Sequence, residues 1–74
     1  MEVVQQALAA YGATLGMHGG IINRSGSVTG VAVSIKKGRI RFESTGSGRL
    51  LASGPAVAST VETFVESFWF WEKQ

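Results

Sequence analysis

The chain has 74 residues and a formal net charge of +2, and 45% of its residues are hydrophobic against 16% charged. It contains no cysteine and one histidine, which excludes a disulfide framework and a zinc site built from cysteine and histidine. A chain this short buries only a small core, so we expect residues 1–74 to form one domain that gains stability by association.

The ends and apolar runs of the sequence favour a cytoplasmic protein. The first residues lack the basic segment of a signal peptide. No apolar run approaches the roughly 20 residues that a membrane span requires, so no membrane association is expected.

The first predicted element is an amphipathic helix. Four apolar residues recur at the helical spacings of 4, 3 and 4 residues: Val4, Leu8, Tyr11 and Leu15. This pattern predicts a helix that continues to Leu15 and is stopped by Gly16. Gly12 then falls inside the helix, where a glycine indicates a close approach of another backbone.

The middle of the chain changes to the alternating pattern of β-strands. Apolar and polar side chains alternate in residues 31–36 and again in residues 39–43. A two-residue turn at Lys37 and Gly38 joins these segments into a hairpin. Its pairing matches like with like: Ile35 with Ile40, Val33 with Phe42, Ser34 with Arg41, and Lys36 with Arg39.

Further strands are predicted on both sides of this hairpin. Residues 49–53 follow a loop of glycine and serine, and either Leu50 or Leu51 must face away from the core, so the register of this strand stays open. Residues 21–23 can add an edge strand before the hairpin. The predicted sheet is an antiparallel meander of three to four strands.

A second helix is expected after Gly54, with Pro55 at the first helical position, where its missing N–H is harmless. Ser59 and Glu62 give an alternative start as a capping box. Its core stripe has helical spacing: Val57, Val61, Phe64, Phe68 and Trp71. The sequence thus predicts an α+β fold of N-terminal helix, three- to four-stranded antiparallel meander and C-terminal helix, with both helices on one face of the sheet.

Residues with catalytic chemistry are few. His18 lies in a glycine-rich loop, and the chain has no Asp to orient it. Glu62 and Glu66 lie one turn apart on the second helix, away from its core stripe and without further metal ligands nearby. No phosphate-binding loop of a nucleotide site is present. The sequence therefore predicts no catalytic, cofactor or metal site.

Basic residues are concentrated in the middle of the chain. Residues 17–55 carry six cations against Glu43 alone, a net charge of +5. The hairpin directs its cations away from the core, and Arg24 or Arg49 can join from neighbouring strands. Candidate contact residues are Lys36, Lys37, Arg39, Arg41 and Arg49. Phe42 points inward, so base stacking on this face is not expected. The alternative is that these cations only protect the sheet edges.

An aromatic run stands near the C-terminus. Five of the seven aromatic residues fall within residues 64–71. At about 100° per residue, Trp69 lies at the margin of the core stripe and Phe70 points nearly opposite. Exposed aromatic side chains are typical of contact sites, so Trp69 and Phe70 are predicted to bind a second subunit or another protein. We expect a homodimer through the C-terminal helix; alternatively, the last turn unwinds and buries Phe70.

These features predict a small non-enzymatic protein that binds another protein or a protein–nucleic-acid complex stoichiometrically. Small size without catalytic residues would suit an inhibitor or accessory factor of a phage or mobile element. The alternative is a nucleic-acid-binding module that contacts phosphates through the basic face of the hairpin. The alternative predicts an affinity that falls steeply with salt, whereas Phe70→Ser should break a protein assembly.

Overall fold

The computed structural model describes residues 2–67 as a helix, five strands and a second helix. The elements are α1 (Glu2–Ala9), β1 (Thr14–Leu15), β2 (Gly20–Ile22), β3 (Val28–Lys36), β4 (Arg39–Ser44), β5 (Leu50–Pro55) and α2 (Ala58–Ser67). The strands form one antiparallel sheet in the order β1-β2-β3-β4-β5. The α+β fold is confirmed, with five strands instead of three to four.

Both helices lie on the same face of the sheet and enclose the core with it. The larger buried apolar residues come from both helices and from the inward positions of the strands: Val4, Leu8, Ile21, Val31, Val33, Ile40, Phe42, Val61, Phe64 and Val65. The rings of Phe42 on β4 and Phe64 on α2 stack with centroids 3.9 Å apart and planes 2° from parallel. Neither helix in residues 2–67 has the length and apolar character needed to cross a membrane.

The β3–β4 hairpin has the predicted register. Val33 pairs with Phe42 and Ile35 pairs with Ile40, so apolar side chains meet on the core side. Lys37 has a φ of 53° and Gly38 a φ of 75°. Two central residues with positive φ are typical of the type I′ turn, whose twist matches that of the flanking strands.

The first helix ends at Ala9, so the prediction that it continues to Leu15 is wrong. Gly12 lies beyond the helix with a φ of 75°. The N–H of Ala13 donates to the carbonyl of Leu8 at 3.0 Å, and the N–H of Gly12 donates to that of Ala9 at 3.0 Å. These two bonds form a Schellman motif, which terminates a helix on a glycine. Leu15 lies in β1 and packs against the core from there. This strand was not predicted, because the spacing of Leu15 from Tyr11 also fits a helix.

Pro55 ends β5 and does not begin the second helix. It lies opposite Arg39, and the N–H of Ala56 donates to the carbonyl of Gly38 at 2.9 Å. The contact with the β3–β4 hairpin therefore continues past the proline. The helix starts at Ala58, so neither predicted start is correct, and Val57 lies before it with 46% of its surface exposed.

The open register of the last strand is settled by an irregularity in the β4–β5 ladder. Leu50 pairs with Glu43 and is 46% exposed. Ala52 pairs with Phe42, so the step from Phe42 to Glu43 is matched by two residues on β5. Leu51 takes up the extra position and packs against the core.

Candidate binding surface

The face of the sheet opposite the helices is open within the described part of the chain. We call it the outer face. Because strand side chains alternate, its members are the residues between the buried positions of each strand. It has two ends along the strands: the hairpin end, at the Lys37-Gly38 turn, and the far end, at the β4–β5 loop.

The hairpin end carries a cluster of cations around one depression, which we call the basic cavity. It has a volume of about 260 Å³ and is lined by Lys36, Lys37, Arg39, Arg41 and Ser53. The β-sheet register produces this arrangement: Lys36 lies opposite Arg39, and Arg41 lies opposite Ser53. The structure thus brings together four of the five cations predicted as contact residues.

Few negative charges balance these cations. The guanidinium of Arg41 forms a salt bridge of 3.2 Å with Glu43, and both side chains are partly exposed, so the pair is weak. Within residues 2–67, no carboxylate forms a salt bridge with Lys36, Lys37 or Arg39. Like charges directly opposite each other destabilise a sheet, and Lys36 and Arg39 are such a pair.

Arg49 lies at the far end of the sheet, away from the basic cavity. Its carbonyl accepts a hydrogen bond of 2.9 Å from the N–H of Ser44, the last residue of β4. At the usual rise of a strand, Arg39 and Ser44 are about 17 Å apart. Arg24 is also remote: it follows β2 and packs beside Gly12, whose added Cβ would lie 3.1 Å from that of Arg24.

The far end of the outer face carries apolar side chains beside one carboxylate. The apolar residues are Ile22, Val28, Ala32 and Leu50, which we call the apolar end, and Glu43 lies between Ala32 and Leu50 in the strand register. Val28 is 70% exposed and Leu50 is 46% exposed. Sequence reasoning missed this group, and it missed Ser53 in the basic cavity. Val28 could have been placed on the outer face from the sequence, because it is an even number of residues from Lys36 along the same strand. Leu50 could not, because the register of residues 49–53 stayed open.

The aromatic contact site predicted at Trp69 and Phe70 lies outside the described residues, as do Phe68 and Trp71. A second depression, of about 360 Å³, lies between β5 and α2 and reaches Ser67, the last described residue. Small and hydroxyl-bearing residues form most of its lining, including Gly54, Thr60 and Thr63.

The residues considered for catalysis remain apart. His18 is exposed in the β1–β2 loop, and Glu62 and Glu66 are exposed on α2. Within residues 2–67, no three His, Asp or Glu side chains are grouped as a metal site would require. Comparisons with known protein families, with curated proteins and with solved structures find no match for this chain.

Proposed function

We propose that this chain is a non-enzymatic binding protein that holds another protein against the outer face of its sheet. One observation carries the proposal: the same open face has a cation cluster at its hairpin end and exposed apolar side chains at its far end. Protein interfaces combine apolar contacts with arginine-rich polar ones, and complementary charge fixes the orientation of the partner. The expected partner has an acidic group that meets the basic cavity and an apolar group that meets Leu50.

A second copy of the chain fits the outer face poorly. A two-fold axis through the face would place the basic cavity against either another basic cavity or an apolar end. The first arrangement opposes like charges, and the second offers four cations only the carboxylate of Glu43, which already forms a salt bridge with Arg41. The partner on this face is therefore a different molecule. The homodimer predicted through Trp69 and Phe70 involves residues outside the described part of the chain and is a separate proposal.

Nucleic acid is the less favoured partner. An extended phosphate backbone needs a continuous track of cations. Here Glu43 interrupts the path from Arg41 to Arg49, and Arg24 lies in the β2–β3 turn. Phosphates would also gain nothing from Val28 or Leu50.

Small size and stoichiometric binding suit an inhibitor or accessory factor acting in the cytoplasm, such as one from a phage or mobile element.

Two matched pairs of variants test the proposal. Arg39→Glu reverses a charge in the basic cavity, and Arg49→Glu makes the same change outside it. Leu50→Ser and Val57→Ser each remove an apolar side chain that is 46% exposed, but only Leu50 lies on the outer face. The partner is identified by co-purification from source cells, and its affinity for each purified variant is then measured by calorimetry.

We expect Arg39→Glu and Leu50→Ser each to weaken partner binding by about tenfold or more, and the two controls to change it little. Equal loss in Arg39→Glu and Arg49→Glu would contradict a localised site. Labelled duplex DNA and RNA are tested by fluorescence anisotropy across about 50 to 300 mM salt. Tight binding that falls steeply with salt and is indifferent to Leu50→Ser would establish the nucleic-acid alternative instead.

A further inference from the structure

We infer that the basic cavity is a binding site for a single phosphate group, which the partner presents on a phosphorylated side chain. The inference deepens the proposed function and rests on it for the identity of the partner. The phosphate site itself rests on the cavity alone. Its occupant is a phosphorylated protein segment in extended conformation.

Each residue around the basic cavity ends in a hydrogen-bond donor, and the aliphatic stems of the lysines and arginines form much of its wall; none of the five residues is a carboxylate. Its five residues are Lys36, Lys37, Arg39, Arg41 and Ser53. Lysine and arginine only donate, and the hydroxyl of Ser53 can donate as well. A phosphorylated side chain has close to two negative charges and three strong acceptor oxygens, whereas a carboxylate has one charge and two oxygens. Four cations around one depression therefore match a phosphate better than an aspartate or glutamate.

Two local features at the hairpin end lower the stability of the fold. Lys36 faces Arg39 across the strands, where like charges repel. Lys37 occupies a turn position with a φ of 53°, where asparagine or glycine fits better than lysine. Sequence choices that work against local stability concentrate at functional positions. A bound dianion would remove the repulsion and would give Lys37 a partner.

The backbone around the basic cavity is held in place before any ligand arrives. The type I′ turn fixes β3 against β4, and the N–H of Ala56 bonds to the carbonyl of Gly38 at 2.9 Å. The 3.2 Å salt bridge between Glu43 and Arg41 is partly exposed and adds little to this order. Sites built on paired strands keep their geometry, and such preorganisation strengthens binding.

The position of the apolar end favours a peptide over a nucleic acid. Along β4, Glu43 is four residues from Arg39, a distance of about 13 Å, and Leu50 lies opposite Glu43. An extended peptide spans that distance in about four residues. A phosphoserine in the basic cavity would thus place the residue four positions away over Leu50. An apolar residue at that position completes the contact.

The probes are short synthetic peptides. One carries phosphoserine and, about four residues away, leucine; the others replace phosphoserine with serine or glutamate, or leucine with serine. Inorganic phosphate, acetate and a labelled DNA duplex are tested at matched ionic strength. Amide chemical shifts of the full chain report the binding site, and dispersed spectra confirm that each variant is folded.

We expect the phosphoserine peptide to bind at least about tenfold more tightly than its serine and glutamate versions, with shifts centred on residues 36–41 and Ser53. Arg39→Gln and Ser53→Ala should weaken both the peptide and inorganic phosphate, while Arg49→Gln should not. Leu50→Ser should weaken the leucine peptide and leave inorganic phosphate unchanged.

Three results would overturn the inference. The first is equal affinity for the glutamate and phosphoserine peptides. The second is that Arg39→Gln and Arg49→Gln weaken peptide binding equally. The third is that the DNA duplex binds more tightly than the peptide and that its binding depends as much on Arg24 and Arg49 as on the cavity residues. If the glutamate and phosphoserine peptides bind equally but the native partner still requires Arg39 and Leu50, the proposed function stands and the phosphate site is wrong. If phosphate binds in the basic cavity but the native partner binds equally well to Arg39→Glu, the proposed function is wrong. The phosphate site then stands, but the protein that presents the phosphate is not identified.

Discussion

Lys37 connects backbone conformation with binding in a single residue. Its φ of 53° lies in the left-handed region, which costs L-residues other than asparagine and aspartate roughly 1 kcal/mol. Lys37→Asn converts the turn to Asn-Gly, the sequence that type I′ turns prefer. Lys37→Gln removes the same charge without relieving the backbone, so it isolates the conformational effect.

We expect Lys37→Asn to have a free energy of unfolding about 0.5 to 1 kcal/mol above that of Lys37→Gln, measured by chemical denaturation. Both variants should bind phosphate more weakly than the original chain. Indistinguishable stabilities of the two variants would show that the turn does not strain Lys37.

At the scale of elements, β5 and α2 approach each other closely at Gly54. This residue is buried opposite Ile40, and an added Cβ would lie 2.9 Å from Cγ2 of Thr60 in the first turn of α2. Its φ lies outside the left-handed region, so an alanine here would be opposed by the crowding alone. Thr60 is short and β-branched, which leaves it little freedom to move away.

Gly54→Ala should therefore lower the free energy of unfolding by about 1 to 3 kcal/mol. Adding Thr60→Ala should recover part of this loss, because the clashing methyl group is removed. A double-mutant cycle of denaturation free energies measures the coupling. Additive effects of the two substitutions would mean that the helix shifts freely away from β5.

The elements also show what the sequence can and cannot predict. The hairpin was predictable because its alternation and its Lys37-Gly38 turn lie within a few residues of each other. The end of α1 was not, because Leu15 keeps the helical spacing although Gly12 has already turned the chain into β1. The start of α2 was missed for a similar reason: Gly-Pro fits a helix start, yet a hydrogen bond to the distant Gly38 keeps this segment beside the sheet.

The candidate site divides in the same way. The basic half follows from local alternation, so Lys36, Arg39 and Arg41 were expected together. The apolar end depends on which leucine occupies the irregular step of the β4–β5 ladder, and only the paired strands decide that. The sequence alone does not reveal that Arg49 lies beside Ser44, at the end of β4 remote from the other cations.

At the scale of the whole molecule, the helices and the hairpin end of the sheet carry opposite charges within residues 2–67. The exposed acidic residues of the helices are Glu2, Glu62 and Glu66, and neither α1 nor α2 contains a lysine or arginine. The outer face carries the basic cavity. An anionic partner is therefore attracted to the outer face and repelled by the helical side, which favours productive encounters.

Binding of phosphate to the folded chain should raise its thermal stability. At about ten times the dissociation constant, a ligand of the folded state adds about 1.4 kcal/mol. In a domain of this size, that corresponds to an increase in Tm of about 6 to 11 °C. Calorimetry in phosphate and in chloride at equal ionic strength measures the difference.

Phosphate also stabilises proteins without binding to them, because it is excluded from their surfaces. Arg39→Gln separates the two effects: it should lose the specific increase, whereas Arg49→Gln should keep it. The same increase in Tm for both variants would assign it to exclusion and not to the basic cavity.

The hydrogen bond from the N–H of Ala56 to the carbonyl of Gly38 can report when the hairpin turn separates from the segment before α2. An amide exchanges its hydrogen with solvent deuterium only while its bond is broken. The exchange rate of the Ala56 amide thus measures how often the tip of the hairpin separates from the chain leading into α2. A ligand that locks the tip would slow this one amide, while the Val33 amide, bonded to Gly19 at 2.8 Å, would keep its rate. Occupancy of the hairpin end could then be followed over time without altering any side chain.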